Sequence, residues 1–206
     1  MTYLNQAFEV HSLEQAKSVV LSPDSAQPNK FEIETNFLID AVEQLTNIDS
    51  HSRVLDYGCG MGRISRELIK RFQCCVIGLD ISSTMLYHAR QYLIDCDRCK
   101  FTPTQNYTEP NSIDLVLAVL CLQHVQYPQQ EIANIARVLR PNGQLILVNS
   151  RNRFVPLGVD RDNFVVWYDD GFDVHNEIEL HLEKIKSIPY IDHNYDVVVY
   201  QKSQSR

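Results

Sequence analysis

The 206-residue chain lacks the features that mark several classes of protein. No apolar run is long enough to cross a bilayer, and no basic flank precedes an apolar stretch at the amino terminus, so neither a membrane span nor a signal peptide is expected. The six cysteines do not have the dense spacing of a disulfide framework, which favours a reducing cytoplasm. Cys96 and Cys99 form a lone C-x-x-C without a second ligand pair. We interpret them as the end of a helix and its exit, and predict no metal site.

Positive charge is also scarce. The chain has 19 Lys and Arg residues against 26 Asp and Glu residues, a formal net charge of -7, which disfavours a nucleic-acid partner because phosphate binding needs excess cations. The acidic residues are concentrated between Asp160 and Asp196. This segment is either a solvated acidic face or a wall that favours a cationic or neutral small-molecule ligand.

The composition, 44% hydrophobic and 22% charged, is typical of one globular domain over residues 1–206. We divide it into an N-terminal helical segment (1–50), a core (51–149) and a C-terminal segment with the last strands (150–206). Ser12 and Gln15 resemble a capping box at the start of the first helix, and apolar residues recur at helical spacing over 33–45.

Strands and helices then alternate along the core. The predicted strands are 53–56, 75–79, 100–104, 113–119 and 144–148, and the helices between them carry apolar stripes over 64–72, 86–93 and 132–139. A turn at Pro141-Asn142-Gly143 precedes the fifth strand. Strands that are almost continuously apolar, separated by amphipathic helices, predict an α/β fold with a doubly wound, mostly parallel sheet and helices on both faces. Beyond residue 149 we expect a strand over 164–168, a helix over 178–185 and a last strand over 195–201, antiparallel at or near an edge.

Glycine is rare, yet three of the seven glycines, Gly58, Gly60 and Gly62, fall within five residues between the first strand and the next helix. Ligands bind at this position in open α/β sheets. A dinucleotide fingerprint would need glycine where the chain has Arg63, and no Gly-Lys-Ser/Thr of a P-loop follows. Asp56 stands two residues before the first glycine and would face a cation, while the helix start suits an anion. The pattern predicts a ligand with an ammonium and a carboxylate side by side.

Asp80 is the second anchor, 24 residues beyond Asp56 at the tip of the second strand. An acid near this separation accepts hydrogen bonds from ribose hydroxyls in nucleotide-binding sheets, although a lone Asp before a helix also serves as a turn or cap residue. Ile81 and Met85 either pack on an adenine ring or belong to the core.

Four segments in order, 54–62, 77–82, 113–124 and 138–147, resemble successive motifs of the class I, Rossmann-like S-adenosylmethionine-dependent methyltransferases. The resemblance implies a seven-stranded type of sheet with an N-terminal helical cap. Asp80 would bind the ribose, and Ala118 would line the methyl-transfer end. The usual acid after the third strand is missing, so Asn106 would be the polar contact there, with Tyr107 beside it. The methionine part would be held by Asp56 and the loop that contains Gly58, Cys59, Gly60 and Gly62, and Tyr57 and Arg63 are further cofactor-binding candidates.

The activity implied is transfer of the cofactor's methyl group to a small-molecule acceptor, with S-adenosylhomocysteine as product. His124 is the candidate general base, with Tyr127 nearby, although His124 also fits a packing role in its loop. Tyr3, Phe31, Trp167 and Tyr168 either close over the site or pack elsewhere. Three alternatives remain open: a cofactor-binding scaffold or regulator without catalysis, another reaction of the same cofactor such as aminopropyl transfer or its cleavage, and a methyltransferase acting on protein or RNA.

Overall fold

The computed structural model describes residues 2–20, 29–104, 109–191 and 194–204. The strands are β1 (Arg53–Tyr57), β2 (Cys75–Asp80), β3 (Cys99–Pro103), β4 (Ile113–Val119), β5 (Leu139–Val148), β6 (Val155–Val159), β7 (Val165–Tyr168), β8 (Glu183–Pro189) and β9 (Asp196–Gln201). The α-helices are α1 (Leu13–Val19), α2 (Lys30–Leu45), α3 (Arg63–Phe72), α4 (Ser83–Tyr92), α5 (Pro128–Val138) and α6 (Val174–Glu179).

Seven strands form one sheet in the order β3-β2-β1-β4-β5-β9-β8. The first five are parallel, while β9 runs antiparallel to both β5 and β8. The predicted fold class is therefore confirmed. The strand order reverses between β1 and β4, so the connections that follow these two strands lead in opposite directions along the sheet and leave a crevice at their carboxyl ends.

Helices cover both faces of the sheet. Leu38 of α2 and Leu68 of α3 pack on one face with Val54 of β1. Ile132 of α5 and Ile178 of α6 pack on the other face. The central strands are buried on both sides, which is why they are almost continuously apolar in sequence.

The boundary between α5 and β5 differs from the prediction. Leu139 was assigned to the helix, but α5 ends at Val138 and Leu139 begins β5. Pro141-Asn142-Gly143 lies inside β5 as an irregularity: Ile113 of β4 pairs with Leu139 and Leu115 pairs with Gln144. The turn residues are accommodated because Asn142 adopts a positive φ of 63° within this bulge.

The C-terminal segment also contains errors of prediction. The helix expected over 178–185 is wrong, because α6 ends at Glu179 and Ile185 lies in β8. The strand β7 is confirmed, and β9 is antiparallel and near an edge as expected, with β8 outside it. The interpretation of the C-x-x-C as the end of a helix and its exit is also wrong in position: α4 ends at Tyr92, Cys96 follows the turn at 93–95, and Cys99 begins β3. Within the described ranges, no helix has the length and apolar character needed to cross a membrane.

Candidate functional site

A cavity of about 810 Å³ lies at the carboxyl ends of β1, β2 and β4, where the strand order reverses. Asp56, Gly58, Gly60 and Asp80 line one part of it. A second part, which we call the β4–α5 wall, comprises the cavity-lining residues of 121–131 together with Tyr57. The topology thus brings the ends of three parallel strands to one site.

The glycine loop adopts a backbone that side chains would obstruct. Gly58, Gly60 and Gly62 have positive φ angles of 72°, 53° and 80°. A Cβ on Gly58 would lie 2.6 Å from the Cβ of Cys121, and one on Gly60 would lie 2.7 Å from Val20. The N–H groups of Gly58 and Cys59 donate to the Leu79 carbonyl at 2.8 and 2.9 Å, so the loop is tied to the end of β2. These glycines are required both by their conformation and by close approach.

Asp56 lies beneath this loop and is buried. Its carboxylate accepts a hydrogen bond of 2.6 Å from the Ser65 hydroxyl of α3. Burial raises the pKa of Asp56 to about 6, against the opposing effects of the Ser65 hydrogen bond and of Arg63. A buried carboxylate of this kind favours a ligand that brings positive charge.

Asp80 connects the loop to the start of α4. One carboxylate oxygen accepts from the Gly60 N–H at 2.8 Å, and the other accepts from the Ser82 N–H at 2.8 Å. Burial raises the pKa of Asp80, and these two donors counteract the effect. The acid that the sequence assigns to a ribose therefore also fixes the shape of the cradle.

The other residues expected to bind a cofactor fall into three groups. Tyr57, Cys59, Arg63, Ile81 and Met85 line the cavity. Gly62 and Ala118 do not. A Cβ on Gly62 would meet Leu93 and Phe101 on the far side of the loop, and Ala118 packs in the core while the following residues, Val119 to Cys121, reach the cavity. Asn106 and Tyr107 lie outside the described residues.

Arg63 is buried at the start of α3. Its guanidinium donates to the Thr35 hydroxyl at 3.1 Å and lies 3.7 Å from the Glu34 carboxylate of α2. Burial lowers the pKa of Arg63, and the neighbouring Tyr190 and Glu34 act in the opposite direction. Its positive charge is thus largely directed toward α2.

His124 is held in one tautomer by its neighbours. The Ser150 N–H donates to Gln123 Oε1 at 2.7 Å, which leaves the Gln123 amide nitrogen as donor to His124 Nε2 at 3.1 Å. His124 Nδ1 lies 2.7 Å from the Phe154 carbonyl and must donate to it. Burial lowers the pKa of His124, so the ring is neutral at pH 7. His124 lies on the cavity, but its basic nitrogen is already engaged.

Tyr127 and Tyr57 occupy different positions on the β4–α5 wall. Tyr127 is 60% exposed, just before α5. Tyr57 is buried, and its hydroxyl donates to Glu131 Oε2 at 3.0 Å. Glu131 lines the cavity from the first turn of α5 and was missed from the sequence. Its signal was its position four residues before Ile135, which places it near the buried face of that helix.

Residues 2–10, which we call the N-terminal strap, lie across the site. The Leu4 N–H donates to the Pro156 carbonyl of β6 at 3.0 Å, and Tyr3 bridges to Leu157. At the other end, Glu9 accepts from the N–H groups of Ser83 and Thr84 at 3.1 Å each, at the start of α4. Tyr3 and Phe8 of this strap line the cavity.

Aromatic rings gather where the strap meets the cavity. The ring centroid of His124 lies 5.1 Å from that of Trp167 and 5.9 Å from that of Phe8. Tyr3 and Trp167 line the cavity, as expected if they close over the site. Phe31 and Tyr168 are not among its lining residues: Phe31 packs 5.7 Å from the Arg63 guanidinium, and Tyr168 is half exposed.

Comparison with known proteins adds three findings. Residues 55–147 match the protein family described as "Methyltransferase domain". The sterol 24-C-methyltransferase of Clavispora lusitaniae is 28% identical over 150 residues, 69% of this chain and 36% of that protein. The ubiquinone biosynthesis O-methyltransferase of Idiomarina loihiensis is 30% identical over 132 residues, 60% of this chain and 54% of that protein.

Among solved structures, a putative sarcosine dimethylglycine methyltransferase from Galdieria sulphuraria has a TM-score of 0.68 at 14% identity, covering 85% of this chain and 88% of that one. This similarity concerns the fold. The chain spans just over a third of the sterol relative and just over half of the ubiquinone relative.

Proposed function

We propose that the chain is a class I, Rossmann-like S-adenosylmethionine-dependent methyltransferase that transfers the methyl group of that cofactor to a small-molecule acceptor. The observation that carries the proposal is one cavity that contains both the glycine cradle and the β4–α5 wall. Its volume of about 810 Å³ lies within the usual range of small-molecule sites, roughly 300–1,000 Å³.

The residues present fit the cofactor. Gly58 and Gly60 line the cavity with bare backbone, and two buried carboxylates, Asp56 and Asp80, line the same part of it. In the proposed arrangement Asp56 holds the ammonium of the methionine part and Asp80 the ribose hydroxyls. When bound, the cofactor supplies an electrophilic methyl carbon on a sulfonium.

The protein's own contribution would be alignment and exclusion of water. The N-terminal strap and Trp167 cover the site, and the Gln123–His124–Phe154 hydrogen bonds fix the wall beneath them. For His124 to act as a base, the Gln123 amide must first release Nε2. Tyr127, at the exposed rim, remains the second candidate for proton transfer.

A small-molecule acceptor is supported by the named activities of the relatives, which concern sterols and ubiquinone biosynthesis. The strap across the cavity also leaves the glycine cradle beneath the chain's own residues, which disfavours a protein or RNA acceptor. The net charge of -7 also disfavours an RNA acceptor, because binding phosphates needs excess positive charge.

Two measurements on the purified chain test the proposal. Calorimetry with S-adenosylmethionine and S-adenosylhomocysteine should show saturable binding of both. Incubation with methyl-labelled cofactor and a small-molecule extract should yield a labelled product below 1 kDa. Binding without any labelled product would favour the scaffold or regulator, label in protein or RNA would favour a macromolecular acceptor, and absence of cofactor binding would refute the assignment.

A further inference from the structure

The cavity holds a carboxylate that the cofactor does not need. We propose, building on the function proposed above, that the acceptor is an organic amine with an apolar frame, and that Tyr57 and Glu131 form the site that binds its ammonium group.

The two carboxylates near the end of β1 serve opposite sides of the sheet. Successive side chains of a strand point to opposite faces, and here Asp56 contacts Ser65 of α3 while Tyr57 contacts Glu131 of α5. Asp56 is placed beneath the glycine loop for the ammonium of the cofactor. Glu131 lines the same cavity from the other side, and its carboxylate is oriented by the 3.0 Å hydrogen bond from Tyr57.

The charge of the cavity selects against anions. Among the described residues that line it, Asp56, Asp80 and Glu131 are acidic, and Arg63 alone is a lysine or arginine. Arg63 is directed to Thr35 and Glu34 on the α2 side. His124 is neutral because burial lowers its pKa. A phosphate or carboxylate on the acceptor would therefore find no positive partner on the β4–α5 wall.

Arg153 lies behind this wall and does not add positive charge to the lining of the cavity. Its guanidinium contacts the Asp170 carboxylate and the carbonyls of Val125 and Gln126, and it stacks 5.7 Å from the Phe172 ring. It is buried and does not line the cavity. Its charge is used to hold the segment between β4 and α5 in place.

The aromatic residues beside the β4–α5 wall suit an apolar frame. Phe8 and Trp167 meet at 6.1 Å between ring centroids, and the neutral His124 ring packs against both. Aromatic faces attract ammonium groups as well as burying hydrocarbon. The acidic segment 160–196 would add long-range attraction for a cation. The ammonium form binds first, and loss of one N–H proton to solvent then frees the nitrogen electron pair for attack.

The test measures binding, with three probes that share one frame and differ in charge: 2-phenylethylamine, 2-phenylethanol and 3-phenylpropanoate. Each is titrated by calorimetry at pH 7.5 into the protein saturated with S-adenosylhomocysteine. We expect the amine to bind at least tenfold more tightly than the alcohol and the carboxylate not to bind. Glu131→Gln should remove most of the amine preference, and Tyr57→Phe should reduce it less, because the carboxylate remains but loses its orienting donor.

Glu109→Gln is the matched control, since Glu109 is an exposed carboxylate at the opposite end of β4. It should keep the amine preference. Equal binding of amine and alcohol, no amine binding at millimolar concentration, or the same loss in both glutamine variants would overturn the inference. Retained binding of S-adenosylhomocysteine by Glu131→Gln shows that the variant is folded. Failure of the wild-type protein to bind S-adenosylhomocysteine would instead refute the proposed function.

Discussion

At the scale of single residues, Asp80 has two roles: it is the proposed ribose ligand, and it fixes the glycine loop through hydrogen bonds. A substitution that removes the carboxylate removes both. Asp80→Ala should weaken S-adenosylmethionine binding by more than tenfold, because it removes the proposed ribose acceptor and leaves the Gly60 and Ser82 N–H groups without their carboxylate. Asp80→Asn keeps one oxygen and should therefore weaken S-adenosylmethionine binding less than Asp80→Ala does. Calorimetry checks both, with Asp97→Asn, an exposed acid before β3, as control. Unchanged affinity in Asp80→Ala would remove the ribose assignment.

The raised pKa of Asp56 predicts how the stability of the protein depends on pH. Its pKa is raised from 3.8 to about 6, so the folded protein binds the proton more tightly than the unfolded chain, and the free energy of unfolding falls as pH rises between those values. Asp56→Asn should therefore unfold at a higher temperature at pH 8, by on the order of 1 kcal/mol in stability. The same variant should lose cofactor affinity.

The wild-type affinity for S-adenosylmethionine should fall as pH is lowered through about 6, where Asp56 takes up its proton. Calorimetry at pH 5 and pH 8 measures this change. An Asp56→Asn variant that binds the cofactor as tightly as wild type at pH 8 would contradict the role assigned to this carboxylate.

Residue-scale prediction succeeded where topology fixes position. Asp56 and Asp80 lie at the cavity because strand ends in a parallel sheet meet at one edge. Phe8 and Glu131 were not predicted, and Trp167 was expected either to close over the site or to pack elsewhere, because these residues come from distant segments whose proximity depends on tertiary contacts. Gly62 illustrates a third case: its positive φ serves packing against Leu93 and Phe101 instead of the cavity.

At the scale of elements, one carboxylate helps to fasten the N-terminal strap to α4, while the other end of the strap is held at β6. Glu9 accepts from Ser83, Thr84 and the Ser82 hydroxyl at the start of α4. Although burial acts to raise the pKa of Glu9, hydrogen bonds from Thr84 and its neighbours lower it. Its contribution to holding the strap is therefore present above its ordinary value of 4.5 and is lost as pH falls further.

Glu9→Gln should loosen the strap without unfolding the sheet. We expect faster hydrogen exchange at the amides of Ser83 and Thr84 and severalfold weaker cofactor binding, since residues lining the cavity lose their anchor. Hydrogen exchange with mass spectrometry measures the first effect, and Glu14→Gln, in the exposed first turn of α1, is the control. Identical exchange in both variants would show that Glu9 does not hold the strap.

Element boundaries were predictable where periodicity and burial agree. The core from β1 to β5 follows its apolar strands closely, whereas Ile185 was placed in a helix because Ile178, Leu182 and Ile185 recur at helical spacing. The strand β8 forms there because it pairs with β9 and becomes the edge strand of the sheet. Its largely exposed residues give no strand signal of their own.

At the scale of the whole molecule, cofactor binding should stabilise the fold. A ligand present at 100 times its Kd adds about 2.7 kcal/mol to the free energy of unfolding if it binds the folded state alone. For a chain of this size, S-adenosylhomocysteine should raise the Tm by several degrees. Thermal unfolding monitored by circular dichroism measures the shift, and adenosine provides a control that lacks the methionine part. Equal shifts with both ligands would argue against a role for Asp56.

The Asp80 carboxylate already grips both Gly60 and Ser82 in the protein alone. The cradle is therefore preorganised, and little ordering entropy is left for the cofactor to overcome there. Association of the cofactor should depend on how often residues 2–10 move away from the crevice. The observed association rate should therefore reach a plateau at high ligand concentration, at the rate of that opening step.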